Sequence, residues 1–294
     1  MSQYRRLIPV VLIKHGMIVR SEIFHIHQVI GNPVDTIRRL SNWNVDELVL
    51  IDISDSDFHD MRRDDLYISY KDSSTLGLLK QISSVCSMPV SFGGRIRTIE
   101  DVRARLENGA DKCILNTQAL ENPNFITECA EEFGTQCVVV NIDYRKTADG
   151  TYRVYSRSGT YETSMSPIEW AKECEKRGAG EIFLQSIDRD GLGIGLDIDI
   201  VQKVASTISI PVIACGGAGH YDHFAEILTK TPASAVAAAN IFNYFELAYP
   251  KAKQHCIDSG LDLRSVKLDS KWFPREPEYD LKETQRRIDA RMQK

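Results

Sequence analysis

The sequence predicts a (β/α)8 barrel, a TIM barrel built from two half-barrel repeats over residues 1–260, followed by a C-terminal extension over residues 261–294. Three observations carry this. The stretch Ile210-Pro211-Val212-Ile213-Ala214-Cys215-Gly216-Gly217-Ala218-Gly219 reads as a short apolar strand, covered on both faces, that runs into a glycine turn and a helix. Met88-Pro89-Val90-Ser91-Phe92-Gly93-Gly94-Arg95 repeats that strand and turn in the first half. Further segments match in the same order: Asp46–Ser54 with Gly180–Asp188, Gly109–Thr117 with Pro232–Asn240, and Ile8–Leu12 with Val139–Asp143. Four strands in one half therefore mirror four in the other, which is the mark of a duplicated half-barrel. Glycines at these turns let backbone N–H groups approach an anion, although a tight ligand-free turn explains the same residues. Two equivalent turns place two phosphate sites facing each other across one mouth.

The elements follow in order. Arg6 to Ile13 is the first strand, and residues 14–31 form a long connection carrying His25 and His27. An i, i+2 histidine pair has metal-binding spacing, but no third ligand lies near, and exposed imidazoles at a loop edge are the simpler reading. No metal is expected. Asn32-Pro33 opens a helix with an N-cap and a proline in the first turn, and Val34 to Trp43 continues it. Glu47 to Ile53 is the second strand. The mixed-charge loop Asp55 to Ser73 then lies on the active-site face, where a lid, a partner contact or a solvated insertion all fit. Ser73 or Ser74 caps a helix reaching Val85. The third strand ends at Gly93-Gly94, and Thr98 N-caps the helix after it. Lys112 to Asn116 is the fourth strand, Asn122-Pro123 opens the next helix, and Gln136 to Asp143 is the fifth strand. Tyr144 to Thr163, with Ala148-Asp149-Gly150 in its middle, reads as a β-hairpin inserted on the active-site face. Ser166-Pro167 starts a helix that ends at Gly178. Glu181 to Ser186 is strand six, leading to Asp188-Arg189-Asp190-Gly191, and Ser234 to Ala239 is strand eight. In the extension, Trp272-Phe273-Pro274 is a candidate anchor. Asp280 to Lys294 is a charged helix candidate with Leu281, Ile288 and Met292 on one side, either docked or solvated.

Composition bounds the function. The chain has 294 residues, 43% of them hydrophobic, enough for one barrel and a tail. A net charge of −5 with no dominant basic block argues against nucleic acid as a partner. No apolar run reaches membrane-spanning length, and Met1 to Arg6 lead straight into a strand without a secretory signal. The seven cysteines are scattered, odd in number and without a Cys-x-x-Cys, as expected of reduced thiols in a cytoplasmic protein.

Two groups of residues can carry chemistry. Asp143 ends the fifth strand at the active-site face, where a carboxylate either works as a general acid or base or ties down the hairpin that follows. Its counterpart in the first half is Leu12, which cannot move a proton. At the opposite end, Arg6, Glu47, Lys112 and Glu181 each begin a strand. Four charges there close an ion-pair ring across the barrel bottom, either as a stability network or as a gate for a small polar molecule arriving from a docked partner.

From Arg6 to about Phe245 the chain resembles the cyclase subunit family of imidazole glycerol phosphate synthase. The motifs are Asp46-Glu47-Leu48-Val49-Leu50-Ile51-Asp52-Ile53, Gly180-Glu181-Ile182, Ser186-Ile187-Asp188-Arg189-Asp190-Gly191 and Ile210 to Gly219. The resemblance implies a lyase-type barrel that binds no cofactor. It receives ammonia from a class I glutaminase docked at the barrel bottom as a heterodimer, and uses it on a phosphorylated small molecule with two phosphates. It assigns an ammonia gate to Arg6, Glu47, Lys112 and Glu181, and a catalytic aspartate to Asp143. Phosphate binding falls to Gly94, Asn116 and Thr117 in one half and to Gly191, Gly216, Gly217, Ala239 and Asn240 in the other. Two positions depart from the family pattern: Val10-Val11-Leu12-Ile13-Lys14-His15-Gly16 lacks the strand-one aspartate, and Arg95 replaces a third glycine. The strand-one departure resembles the branch associated with glycosyl amidation in lipopolysaccharide and other surface-polysaccharide gene clusters. That branch implies that the ammonia serves a separate ATP-dependent sugar amidotransferase. The alternatives are a true cyclase of histidine biosynthesis, a non-catalytic scaffold that activates the glutaminase, and a related sugar-phosphate isomerase. The isomerase also wants two opposed carboxylates and needs no gate.

Overall fold

Strict alternation along the strands decides the architecture. In the first strand Ile8, Val10 and Leu12 join one buried cluster, while Leu7, Val11 and Ile13 join another. A strand buried on both faces must sit in a sheet with a core on either side. The computed structural model describes residues 4–60, 72–243 and 246–266. Its first half runs β1 (Arg6–Lys14), β2 (Met17–Glu22), β3 (Ile26–Gly31), α1 (Pro33–Asn42), β4 (Leu48–Asp52), α2 (Thr75–Ser83), β5 (Val90–Gly93), α3 (Ile99–Glu107), β6 (Lys112–Leu115), α4 (Thr117–Glu121) and α5 (Asn124–Phe133). The second half runs β7 (Val138–Lys146), β8 (Tyr152–Ser156), β9 (Tyr161–Glu162), α6 (Pro167–Lys176), β10 (Glu181–Ser186), α7 (Ile198–Ala205), β11 (Val212–Cys215), α8 (Tyr221–Lys230), β12 (Ala235–Ala238) and α9 (Ala248–Asp258).

Eight of these strands pair in parallel in the order β10-β11-β12-β1-β4-β5-β6-β7, and β7 pairs back onto β10. The sheet is therefore closed, and the (β/α)8 barrel expected from the sequence is what forms. Inside it, Ile8, Val49, Ile114, Val139, Phe183, Ile213 and Ala235 fill the lumen. Outside, Trp43, Leu79, Phe125, Trp170, Phe224 and Tyr249 pack strands against helices. Polar starts hold the helices. Asn32 accepts from the Val34 and Asp35 N–H groups, with Pro33 in the first turn. Thr98 and Ser166 each close a reciprocal capping box. Among the described residues no helix is long and apolar enough to cross a membrane.

Several local expectations change. The connection over 14–31 is a β-hairpin, not a loop: β2 pairs antiparallel with both β1 and β3. His15 and Gly16 turn it with φ of 49° and 86°, the two left-handed residues that a tight hairpin matched to strand twist requires. Asn122-Pro123 does not repeat the Asn32-Pro33 device. Asn122 ends the short helix α4, and Pro123 begins α5 without a side-chain cap. The fifth strand begins at Val138 because Thr135–Cys137 form a 3-10 turn. The hairpin at 144–163 is present as β7, β8 and β9, and Asp149 accepts from the Thr151 N–H at its tip.

The start of the extension is tied to the barrel bottom. Leu263 bridges Arg5, and Arg264 Nε donates to Asp46 Oδ1 at 2.9 Å. Lys253, 1% exposed, pairs with the same carboxylate. The Trp272-Phe273-Pro274 anchor and the 280–294 helix candidate lie outside the described residues, as does most of the loop after the second barrel strand.

Candidate active site

The bottom of the lumen is a closed ring of charge. Each member is the first inward residue of its strand or the residue just before it. Lys112 Nζ donates to Glu47 Oε1 and Glu181 Oε2, both at 3.0 Å, and Arg6 pairs with the same two carboxylates. Ser91 Oγ donates to Glu47 Oε1 at 2.7 Å. All four charges expected at this end from the sequence thus meet. Burial alone would push the Glu47 carboxyl up, but the charges of Lys112 and Arg6 and the Ser91 hydroxyl outweigh it and hold it below its ordinary value. Burial works against the charged form of Arg6 too, and its two glutamates more than offset this. Between this ring and the mouth the lumen is lined mainly by apolar side chains.

At the other end, β7 alternates so that Val139, Asn141 and Asp143 line the interior. Asp143 is 4% exposed. Asn116 Nδ2 donates to its Oδ2 at 2.8 Å and Asn141 Nδ2 to its Oδ1 at 3.0 Å. Burial raises this carboxyl to about 7. The two amide hydrogen bonds oppose the rise, and the charge of Asp190 adds to it. A carboxyl so poised exchanges a proton readily near neutral pH. Asn116, grouped with the first phosphate turn in the sequence, thus spends one amide N–H on the aspartate. The carbonyl oxygens of Asn116, Asn141 and Asn240 are buried without partners among the described residues. Leu12 lies in the lumen of β1, 8% exposed, on the far side of the barrel by strand order.

The glycine turns rim this mouth. Gly94 has φ +107°, and a Cβ there would stand 2.1 Å from the Asp52 carbonyl oxygen. Gly217 has φ +103°, and its Cβ would stand 2.2 Å from the Gly195 carbonyl oxygen. Both turns demand glycine for backbone approach whether or not an anion binds. Thr117 opens α4, and its hydroxyl accepts from the Arg157 N–H at 3.1 Å, so the tip of the β8–β9 hairpin rests on the first turn. At the second site the β2–β3 hairpin folds over Gly191 and Asn240. Asn240 Nδ2 donates to the Ser21 carbonyl at 3.0 Å, and a Cβ on Gly191 would stand 2.1 Å from that same oxygen. Ala239 follows β12 directly, next to Asn240. The resemblance therefore groups these residues as the fold does, at one end of the lumen, with Gly216 beside Gly217.

Two functional candidates escaped the sequence reading. Asp190 is buried, accepts from Ser21 Oγ at 2.6 Å, and is pushed up by burial. Its charge registers at Asp143 and Cys215. His59 is fully buried. Its Nε2 lies 3.2 Å from both Asp52 Oδ2 and Thr75 Oγ1, and its Nδ1 has no partner among the described residues. Burial would raise Asp52, but His59 and Ser54 hold it below its ordinary value. Neither signal is local in sequence: Ser21 and Asp190 are 169 residues apart. His25 and His27 lie around the start of β3, and no group of three or more His, Cys, Asp or Glu able to hold a metal occurs among the described residues.

Comparison with known proteins adds kinship. A family profile described as "Histidine biosynthesis protein" matches residues 6–248. The imidazole glycerol phosphate synthase subunit HisF of Streptococcus mutans is 38% identical over 260 residues, which cover 88% of this chain and 99% of the relative. The proteins of the same name from Sulfurisphaera tokodaii and Caulobacter vibrioides are 40% and 39% identical over the same length, covering 98% and 95% of those relatives.

Proposed function

The chain belongs to the histidine biosynthesis protein family, as a HisF-like barrel of imidazole glycerol phosphate synthase, and from that premise we propose that it is the ammonia-receiving subunit of a glutamine amidotransferase complex. A class I glutaminase docks on the Arg6 end. Ammonia passes the Arg6–Glu47–Lys112–Glu181 ring and the mainly apolar lumen to reach the mouth. There a phosphorylated small molecule sits between the Gly94/Thr117 and Gly217/Asn240 turns.

The observation that carries this reading is the pairing of a complete ring with a halved acid–base couple. Cyclisation and cleavage of a two-phosphate substrate need protons moved on both sides of it. Asp143, held by Asn116 and Asn141 with its carboxyl near 7, takes or gives one. Leu12 presents only methyl groups on the other side. Ammonia handling is kept and cyclase chemistry is weakened, so the ammonia serves another acceptor, a sugar amidated by a separate ATP-dependent enzyme in surface-polysaccharide synthesis. A second reading is favoured by a specific observation, the imidazole glycerol phosphate synthase name borne by the relatives and the histidine biosynthesis description of the family. In it the chain is itself the cyclase, with Asp143 as acid and base in turn.

One experiment separates the two. Saturating ammonium and the two-phosphate cyclase substrate are given to wild type, Leu12→Asp and Asp143→Asn. One positioned acid or base is worth about 10²–10⁴-fold. Slow or undetectable wild-type turnover with a gain in Leu12→Asp is expected. Wild-type turnover of roughly 1–10³ s⁻¹ refutes the first reading and establishes the cyclase. Failure of any class I glutaminase to bind or be activated at about micromolar concentration refutes the ammonia-receiving role.

A further inference from the structure

Arg95 follows Gly93 and Gly94 on the turn after β5, and it is held in an unfavourable state in two ways. Its φ is +57°, in the left-handed region where a Cβ crowds the backbone. Its counterpart in the other half-barrel by strand register is Gly217, which takes a φ of +103° with no Cβ to crowd the backbone. In addition, Arg95 Nη1 is buried and has no hydrogen-bond partner among the described residues. A guanidinium cannot escape this by losing its proton. Among the described residues no salt bridge joins Arg95 to a carboxylate. Its charge registers at Asp57, but that carboxylate already accepts from the Thr75 N–H at 3.0 Å and the Thr75 hydroxyl at 2.6 Å. A second unpartnered nitrogen, Nδ1 of the fully buried His59, belongs to a side chain whose charge also registers at Asp57. Both side chains thus act on Asp57 in the loop after β4, and Arg95 follows Gly94 directly in the chain.

We infer that Arg95 is an anion-binding residue of the first mouth site, and that its guanidinium takes a phosphoryl group of the ligand there. The inference rests on the reading above that the ligand carries a phosphate at each end. It makes the ends unequal. At Gly216–Gly219 the phosphate meets backbone N–H groups, whereas at Gly93–Arg95 it meets a fixed cation whose planar fork matches two phosphoryl oxygens. Because a full charge is involved, binding at this end weakens more steeply with salt than at the other.

The test is a titration of wild type, Arg95→Ala, Arg95→Gly and Arg95→Lys with inorganic phosphate and then glycerol 3-phosphate at low ionic strength. It is read by the amide resonances of Gly94 and Thr117 at one end and of Gly217 and Asn240 at the other. Arg95→Gly relieves the left-handed strain, so it folds at least as well as wild type. The expected result is roughly tenfold or weaker binding at Gly94 and Thr117 in the Ala and Gly variants, partial recovery with Lys, and no change at Gly217 and Asn240. The inference is overturned by any of three results. One is unchanged or tighter binding in Arg95→Gly, which means that the arginine crowds the site. Another is an equal loss at both ends. The third is wild type that binds no phosphate at Gly94. Activation of a glutaminase at the barrel bottom is a separate readout. Its absence in wild type sinks the proposed function and leaves the anion result standing.

Discussion

Replacing Asp143 by Asn tests the electrostatics of the mouth through stability alone. The carboxyl is lifted from its ordinary 3.8 to about 7, chiefly by burial. Below about pH 3.8 it is protonated in both folded and unfolded chains and contributes nothing to the pH dependence. Between there and about 7 the folded chain holds the proton while the unfolded chain has lost it, so stability falls as pH rises. Above about 7 the folded chain carries a buried carboxylate, and the full cost is in place. At 1.36 kcal/mol per unit, a rise from 3.8 to about 7 amounts to about 4 kcal/mol. About 1.5 kcal/mol of it is already felt at about pH 5. Asn carries no charge at any pH, and its amide is accommodated because Asn116 and Asn141 each have a buried carbonyl oxygen without a partner. Urea unfolding of both proteins across this range checks the reasoning. The stability of Asp143→Asn minus that of wild type grows by roughly 2–3 kcal/mol from about pH 5 to about pH 8. Differences that stay parallel across that window refute the claim that Asp143 is a buried acid titrating near neutrality.

Two further outcomes concern the ends of the barrel. Glu47→Ala leaves Arg6 and Lys112, each about one-fifth exposed, sharing Glu181 alone. Partial exposure brings the expected loss to the lower part of the buried-pair range, about 2–3 kcal/mol. Because the Glu47 carboxyl is held down, its stabilisation is present above the ordinary glutamate value and fades as pH falls through the folded one. Acid melts should therefore narrow the gap between variant and wild type. Gly191→Ala puts a Cβ against the Ser21 carbonyl at a φ of +72°. It should lift the β2–β3 hairpin and speed tryptic cleavage after Arg20, with about 1–3 kcal/mol lost overall. Unchanged cleavage means that the hairpin is not held at that contact.

The barrel was readable because its signals are local and repeated: an apolar strand, a glycine turn, a capped helix, twice over. The ring was readable for a related reason. A charge at the first inward position of a buried strand has only its counterparts on other strands to meet, and Arg6, Glu47, Lys112 and Glu181 do so. What the sequence concealed depends on contacts between distant segments. The stretch after β1 looked like a loop because its second strand, Ile26–Gly31, is largely exposed and lacks a clean alternation. The Ser21–Asp190 bond and the burial of His59 over Asp52 follow only once the strands have closed. Asn116 was legible as a mouth residue but not as a ligand of Asp143, since strand registry alone brings them together.

The β2–β3 hairpin has a bearing on how the two halves hold together. It grows from the first strand of the first repeat, yet its carbonyl at Ser21 is satisfied by Asn240 and its hydroxyl by Asp190, both in the second repeat. The mirror insertion, β8–β9 in the second repeat, likewise lends its Arg157 N–H to Thr117 in the first. Each half has thus surrendered its loop to the other. Because these bonds run between the repeats, neither half, expressed alone, can pair with itself and keep them. The repeat is kept in the strands, while the loops differ and tie each half to the other.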